Sequence, residues 1–136
     1  MAGYSGTPLV RKLGIKEDGR VLLAGAPDGF VEYLGPLPIG AELAADGAGA
    51  LDVILLFTEW RADLEHQFGS LAARMKPTGR LWVAWPKKAA KRPTDLDFNF
   101  VQGLGLAAGL VDTKICAVDE TWSGLCFMVR LKDRPR

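Results

Sequence analysis

The segment Asp52-Val53-Ile54-Leu55-Leu56-Phe57 carries five apolar residues in succession, with no polar residue interleaved. A strand with one wet face alternates apolar and polar, so an unbroken run of branched side chains has to be covered on both faces. Val21-Leu22-Leu23-Ala24 and Leu81-Trp82-Val83-Ala84-Trp85 repeat the pattern. Between the second and third runs the period changes. Trp60, Leu64, Phe68, Leu71 and Met75 recur by four, four, three and four, which predicts one helix face lying on a sheet. Strand, helix and strand in alternation require parallel pairing through right-handed crossovers, and so predict a three-layer α/β domain.

The remaining segments fit that frame. Thr7 before Pro8 is a helix start, with the hydroxyl as cap and proline at the first turn, and Gly14 is suited to ending that helix in a left-handed conformation. Gly25 to Phe30 is a breaker-rich loop leading into a short helix at Phe30 to Leu34. Residues 35–50 carry little periodic signal, although Glu42-Leu43-Ala44-Ala45 reads as a short edge strand. Lys76-Pro77-Thr78-Gly79 is expected to end the long helix, with the third strand starting at Leu81. After the basic loop Pro86 to Pro93, Thr94 and Asp97 are spaced like a capping box, which predicts a helix from about Asp95 to Gly109. Thr113–Val118 and Leu125–Leu131 read as two strands of a closing hairpin.

Composition sets the outer bounds. The chain has 136 residues, one domain's worth, and no run approaches the roughly 18 apolar residues that span a bilayer. Seventeen Lys and Arg against sixteen Asp and Glu leave a formal charge of +1, so no global field selects nucleic acid or an anionic membrane as partner. Met1 to Gly6 lacks the basic and apolar regions of a signal peptide, which predicts a cytoplasmic protein. Cys116 and Cys126, ten apart across the predicted hairpin, read as buried free thiols and cross-strand neighbours, with neither the number nor the spacing of a metal site.

Two segments resemble the Rossmann-like methyltransferases that use S-adenosylmethionine. Leu13-Gly14-Ile15-Lys16 through Gly19-Arg20-Val21-Leu22-Leu23-Ala24-Gly25 is similar to that family's entry into its first strand and nucleotide loop. Asp52 to Leu56 and Met75 to Val83 are similar to its fourth strand, following helix and fifth strand, and Ala107 to Val111 with the hairpin to its last helix and strands. The resemblance implies a Rossmann-like, mostly parallel sheet with a C-terminal antiparallel hairpin, shortened relative to methyltransferases, and S-adenosylmethionine as candidate cofactor. Leu23 stands where the family has an acidic residue, and Gly25 and Gly29 flank Pro27 where it has its glycine pattern. The acid that would hold the ribose falls to Glu42 or Asp46. Taken whole, the chain also resembles a family of small bacterial proteins described as a domain of unknown function. The marks are Tyr4-Ser5-Gly6-Thr7-Pro8-Leu9, Val83-Ala84-Trp85-Pro86-Lys87-Lys88 and Ala117 through Leu125.

Open α/β sheets bind ligands beyond the carboxyl ends of their strands. Those ends carry Gly25, Ala26, Asp28 and Gly29 after the first strand, Thr58, Glu59 and Arg61 after the second, and Lys87 and Lys88 after the third. If the first strand of the hairpin is parallel to these, its turn brings Glu120 and Trp122 to the same rim. Gly25, Asp28, Gly29, Glu59, Lys87, Lys88, Glu120 and Trp122 are therefore the ligand-binding candidates. Each has a plainer role: turn residues at Asp28, helix-dipole complement at Glu59, solvated loop at Lys87, Lys88, Lys91 and Arg92, and edge packing at Trp122. Trp60, Trp82 and Trp85 are expected in the core, and His66 on the exposed face of its helix.

Two functions fit these residues. One is a ligand-binding or interaction domain that has lost the parent reaction. The other is a small enzyme on an anionic substrate, with Lys87 and Lys88 binding the anion and Asp28 or Glu120 moving a proton, methyl transfer from S-adenosylmethionine being one such reaction. A shortened sheet leaves an edge strand to be covered, for which a homodimer is the expected solution.

Overall fold

The computed structural model describes residues 7–44 and 49–135. Tyr4, Ser5, Gly6 and Asp46 lie outside the described residues. The strands are β1 (Arg20–Ala24), β2 (Glu42–Leu43), β3 (Leu51–Phe57), β4 (Met75–Pro86), β5 (Leu110–Ala117) and β6 (Trp122–Val129). The helices are α1 (Leu9–Leu13), α2 (Phe30–Leu34), α3 (Arg61–Ala72) and α4 (Phe98–Ala107). One sheet takes the strands in the order β2-β1-β3-β4-β6-β5. β2, β1, β3 and β4 are mutually parallel, and β6 is antiparallel to both β4 and β5. The molecule is thus a Rossmann-like α/β fold, mostly parallel with a C-terminal antiparallel hairpin.

The unbroken apolar runs divide between two cores because successive strand residues face opposite ways. Ile54 and Leu56 pack with Leu64, Phe68 and Leu71 of α3 and Val101 of α4. Val53, Leu55 and Phe57 pack on the other face with Leu13 of α1 and Phe30 and Leu34 of α2. Full burial of a Leu or Val side chain contributes about 1.5–3 kcal/mol, so β3, buried from end to end apart from Asp52, is the strand on which both layers rest. The Trp82 indole Nε1 donates to the Leu13 carbonyl at 2.9 Å, tying α1 to the centre of the sheet.

Several predicted boundaries move. Pro8, not Thr7, takes the cap position of α1, although Gly14 does end it with φ 84°. α3 stops at Ala72, and Met75 to Gly79 belong to β4 rather than to the end of a helix. Leu51 pairs with Met75 and Val53 with Arg80, so a bulge absorbs the residues that read as a helix stop. Gly79 sits inside it, where a Cβ would lie 2.9 Å from the Leu51 carbonyl oxygen. α4 starts at Phe98, capped by Asp97, whose Oδ1 accepts from the Phe100 amide at 2.9 Å. The strands of the hairpin each begin three residues earlier than predicted, at Leu110 and Trp122. Trp122, Ser123 and Gly124 pair with Pro86, Trp85 and Ala84, and this pairing with a buried neighbour is what extends β6. The edge strand expected over Glu42-Leu43-Ala44-Ala45 is confined to Glu42–Leu43, with Ala44 beyond it and Ala45 outside the described residues, and the helix at Phe30–Leu34 occurs as predicted.

Candidate functional site

β5 runs parallel to β4, because β6 opposes both. The turn between β5 and β6 therefore opens at the carboxyl end of the parallel strands. It is built by Asp119, whose Oδ1 accepts from the amides of Thr121 (2.8 Å) and Trp122 (2.9 Å), an Asx turn in which one carboxylate replaces the missing ladder. The loop leaving β4 meets it directly: the Lys87 amide donates to the Thr121 carbonyl at 2.8 Å. Lys87, Glu120 in the turn and Trp122 at the start of β6 thus share one edge.

The rest of that edge comes from β1 and β3. Gly25 turns with φ 70°, and a Cβ there would lie 2.8 Å from the Phe57 carbonyl oxygen, so only glycine lets the loop leave β1 this close to β3. Asp28 is exposed in the following turn, and Gly29 (φ 84°) leads into α2. Phe30 packs edge-on against Phe57 at 4.9 Å between centroids, and Phe57 against Trp122 at 5.1 Å. These three rings connect the Asp28 loop to the start of β6 and form the floor of the edge on that face. Trp122 is accordingly only 6% exposed, the first residue of β6 rather than a turn residue.

The loop from Lys87 to Asp97 crosses back over the end of β3 and is fastened there. Thr94 donates to the Glu59 carbonyl at 2.6 Å, and its Oγ1 accepts from the Leu96 amide, so this hydroxyl clamps the loop instead of capping α4. The Arg61 amide and Nε donate to Asp95 at 2.7 Å each. Arg92 forms an ion pair with Glu59 and lies over the Trp122 ring, 5.4 Å from its centroid. Thr58, buried, donates to Asp63 of α3 at 2.7 Å. Lys88 and Glu120 are exposed, and Lys87 is partly so.

Of the sequence-derived candidates, Glu59, Lys87 and Trp122 are joined by direct contacts or by Arg92, and Gly25 abuts the end of β3. Asp28, Gly29, Lys88 and Glu120 flank them on the same edge. Arg92 is the residue sequence reading undervalued, since nothing local in Lys91-Arg92-Pro93 announces a partner 33 positions earlier. Trp60 was expected in the core but is 48% exposed at the cap of α3. Its extended backbone precedes the helix and takes its side chain off the stripe that Leu64, Phe68 and Leu71 complete. Trp82 and Trp85 are buried and His66 is exposed, as predicted.

Cys116 and Cys126 are both free thiols, but only Cys126 is buried, Cys116 on the edge strand β5 being partly exposed. They are diagonal rather than opposed, because Cys126 pairs with Lys114 and Cys116 with Gly124. Burial pushes the pKa of each up. Among the described residues no three His, Cys, Asp or Glu side chains converge as a metal site. No helix among them is long and apolar enough to cross a membrane. A groove of about 610 Å³ lies at the opposite, amino edge, between α1, Lys16, Glu17 and Pro38.

With this geometry, the chain is similar in fold to solved S-adenosylmethionine methyltransferases. A SAM-dependent methyltransferase from Aquifex aeolicus aligns with a TM-score of 0.54 and 16% identity over 90% of this chain and 88% of the other. A ribosomal protein L11 methylase from Lactobacillus delbrueckii subsp. bulgaricus aligns with a TM-score of 0.60 and 12% identity over 90% and 75%. No family model and no curated protein matches the sequence. At these identities the likeness establishes the fold alone.

Among the described residues, the acids that this fold uses to hold its cofactor are not supplied. Leu23, partly buried between β2 and β3, stands where an acid would be needed at the end of β1. Glu42 opens β2 beside Arg20, the first residue of β1, and so sits at the amino edge, away from the crevice. Neither the acid at the end of β1 nor the one that would hold the ribose is thus supplied by the described residues.

Proposed function

We propose that this protein is a ligand-binding domain on a shortened methyltransferase-like fold, taking an anionic small molecule at the carboxyl-end rim. The observation that carries the reading is the Lys87 amide bonded to the Thr121 carbonyl, which joins the basic loop to the β5–β6 turn. Lys87, Lys88 and Lys91 have no side-chain partner among the described residues, so their ammonium groups are available to an anion. Gly25, Asp28, Gly29, Glu59, Glu120 and Trp122 border the same rim. The test is a thermal-shift screen of phosphorylated metabolites, nucleotides, dinucleotides and S-adenosylmethionine. A ligand at about a hundred times its dissociation constant stabilises the fold by about 2.7 kcal/mol. K87A/K88A is expected to lose the response to an anionic hit. A response carried by S-adenosylmethionine at micromolar affinity, unaffected by that double substitution, would overturn the reading.

A second reading is favoured by the exposed carboxylates of Asp28 and Glu120, which have no side-chain partner among the described residues either. A small enzyme on the same anion would use one of them to move a proton. Turnover of a bound ligand that D28N or E120Q abolishes, with binding retained, selects this reading over the first.

A further inference from the structure

Arg92 is fixed more firmly than a surface arginine needs to be. Its Nε and Nη2 both donate to a single oxygen, Oε2 of Glu59, at 3.1 and 2.8 Å. One face of the guanidinium lies over Trp122. The backbone on either side is constrained, by Lys91 in the left-handed region with φ 55° and by the Thr94 hydroxyl on the Glu59 carbonyl. A guanidinium has five N–H donors, and the Glu59 contact uses the Nε side. Among the described residues the Nη1 and Nη2 edge is left without a partner, in a side chain 45% exposed, on the loop that also carries Lys87 and Lys88.

We propose that this open edge of Arg92 is the directional contact for a terminal oxyanion, a phosphate monoester or a carboxylate, with Lys87 and Lys88 supplying undirected charge. A planar fork meets two oxygens of such a group at once, and an ammonium cannot. Glu59 and Trp122 act as positioning residues: one holds the fork by its side, the other supports its face, and neither touches the anion. The inference rests on the rim reading above and adds to it the residue that selects the anion's shape.

Inorganic phosphate and acetate are the probes, titrated into ¹⁵N-labelled protein while the arginine Nε–Hε and backbone resonances are followed. Wild type is expected to bind, with the Arg92 resonance among those that move. R92K keeps the charge and loses the fork, and is expected to weaken binding at least tenfold with an unchanged fold by backbone spectrum. E59Q, which loosens the fork, is expected to weaken binding less than R92K and more than twofold. Phosphate binding tighter than acetate by tenfold assigns a phosphate monoester, and the reverse order a carboxylate. Retention of wild-type affinity in R92K alongside its loss in K87A/K88A overturns the fork and leaves the rim reading standing. Loss in R92K with retention in K87A/K88A keeps the Arg92 fork and overturns the part given to Lys87 and Lys88, and no saturable shift in wild type at tens of millimolar of either anion overturns the fork.

Discussion

Gly103 and Gly105 lie two positions apart on α4 and meet opposite surroundings. A Cβ at Gly105 would run into the ring of Phe127, whereas one at Gly103 would have no neighbour within 4 Å. Gly105→Ala is therefore expected to destabilise the fold by about 1–3 kcal/mol through overpacking. Gly103→Ala should stabilise it by about 0.5–1 kcal/mol, since only helix propensity is at stake. Urea denaturation of the pair checks both signs. The thiols give a pH dependence. Cys116 and Cys126 have pKa values above the ordinary 9.0, chiefly from burial, because the thiolate would lose its hydration there. The folded chain then holds these protons more tightly than the unfolded chain. Stability from this source is complete below about pH 9 and falls as the pH rises through the raised values. Denaturation midpoints measured on either side of that pH should drop at the alkaline side, and C116A/C126A should lessen the drop. Residue-scale reading from sequence succeeded where spacing decides exposure, as for His66, and failed for Trp60, whose spacing matched the stripe while its backbone had not yet entered the helix.

At the scale of elements, the interior strands were legible because burial on both faces forces a continuous apolar run. Their ends were not, because pairing can extend a strand through residues whose own preferences oppose it. Lys76-Pro77-Thr78-Gly79 is a breaker sequence, yet it lies within β4, held by the bulge opposite Leu51 and by the Lys76 ion pair with Asp52 at 3.1 Å. The helix caps behave more locally. Asp97→Ala removes the acceptor of the Phe100 amide and is expected to cost about 1 kcal/mol, read from urea denaturation. α1 depends instead on a contact far away in sequence. At 5 residues it cannot hold itself together, and the Trp82 indole bond to its last carbonyl fastens it to the sheet. Trp82→Phe is expected to cost about 1–3 kcal/mol, by leaving a buried carbonyl unpaired. Hydrogen exchange should accelerate first in α1, and uniform acceleration across the molecule would contradict this account.

At the scale of the whole molecule the two outermost strands of the sheet among the described residues, β5 and β2, differ. β5 carries a bulge at Asp112 to Lys114 and exposes Thr113 and Lys114, devices that discourage edge-to-edge pairing. β2, at 2 residues, is also too short to offer much ladder, and the contrast lies in apolar exposure: Ile115 on β5 is 58% exposed, whereas Ile39, just before β2, is 82% exposed with Leu43 partly uncovered. We propose that a second copy of this chain covers the β2 edge. Light scattering should report a dimer that Ile39→Asp dissociates, and a monomer at high concentration ends the proposal. K87A/K88A, by contrast, should leave stability within about 0.5 kcal/mol of wild type, since both side chains lack partners to lose. The apolar runs and the helical stripe by themselves determined the α/β class, the parallel strands and the carboxyl edge to which Lys87 belongs, because burial, periodicity and crossover handedness are recorded in the order of residues. Glu120 joined that edge only on the condition that β5 runs parallel to β4. Tertiary structure alone decided that β6 inserts between β4 and β5, that Trp122 becomes the floor of the rim, and that Arg92 reaches Glu59. Those outcomes depend on which distant backbones pair and which side chains then find themselves in contact, and no local spacing encodes that.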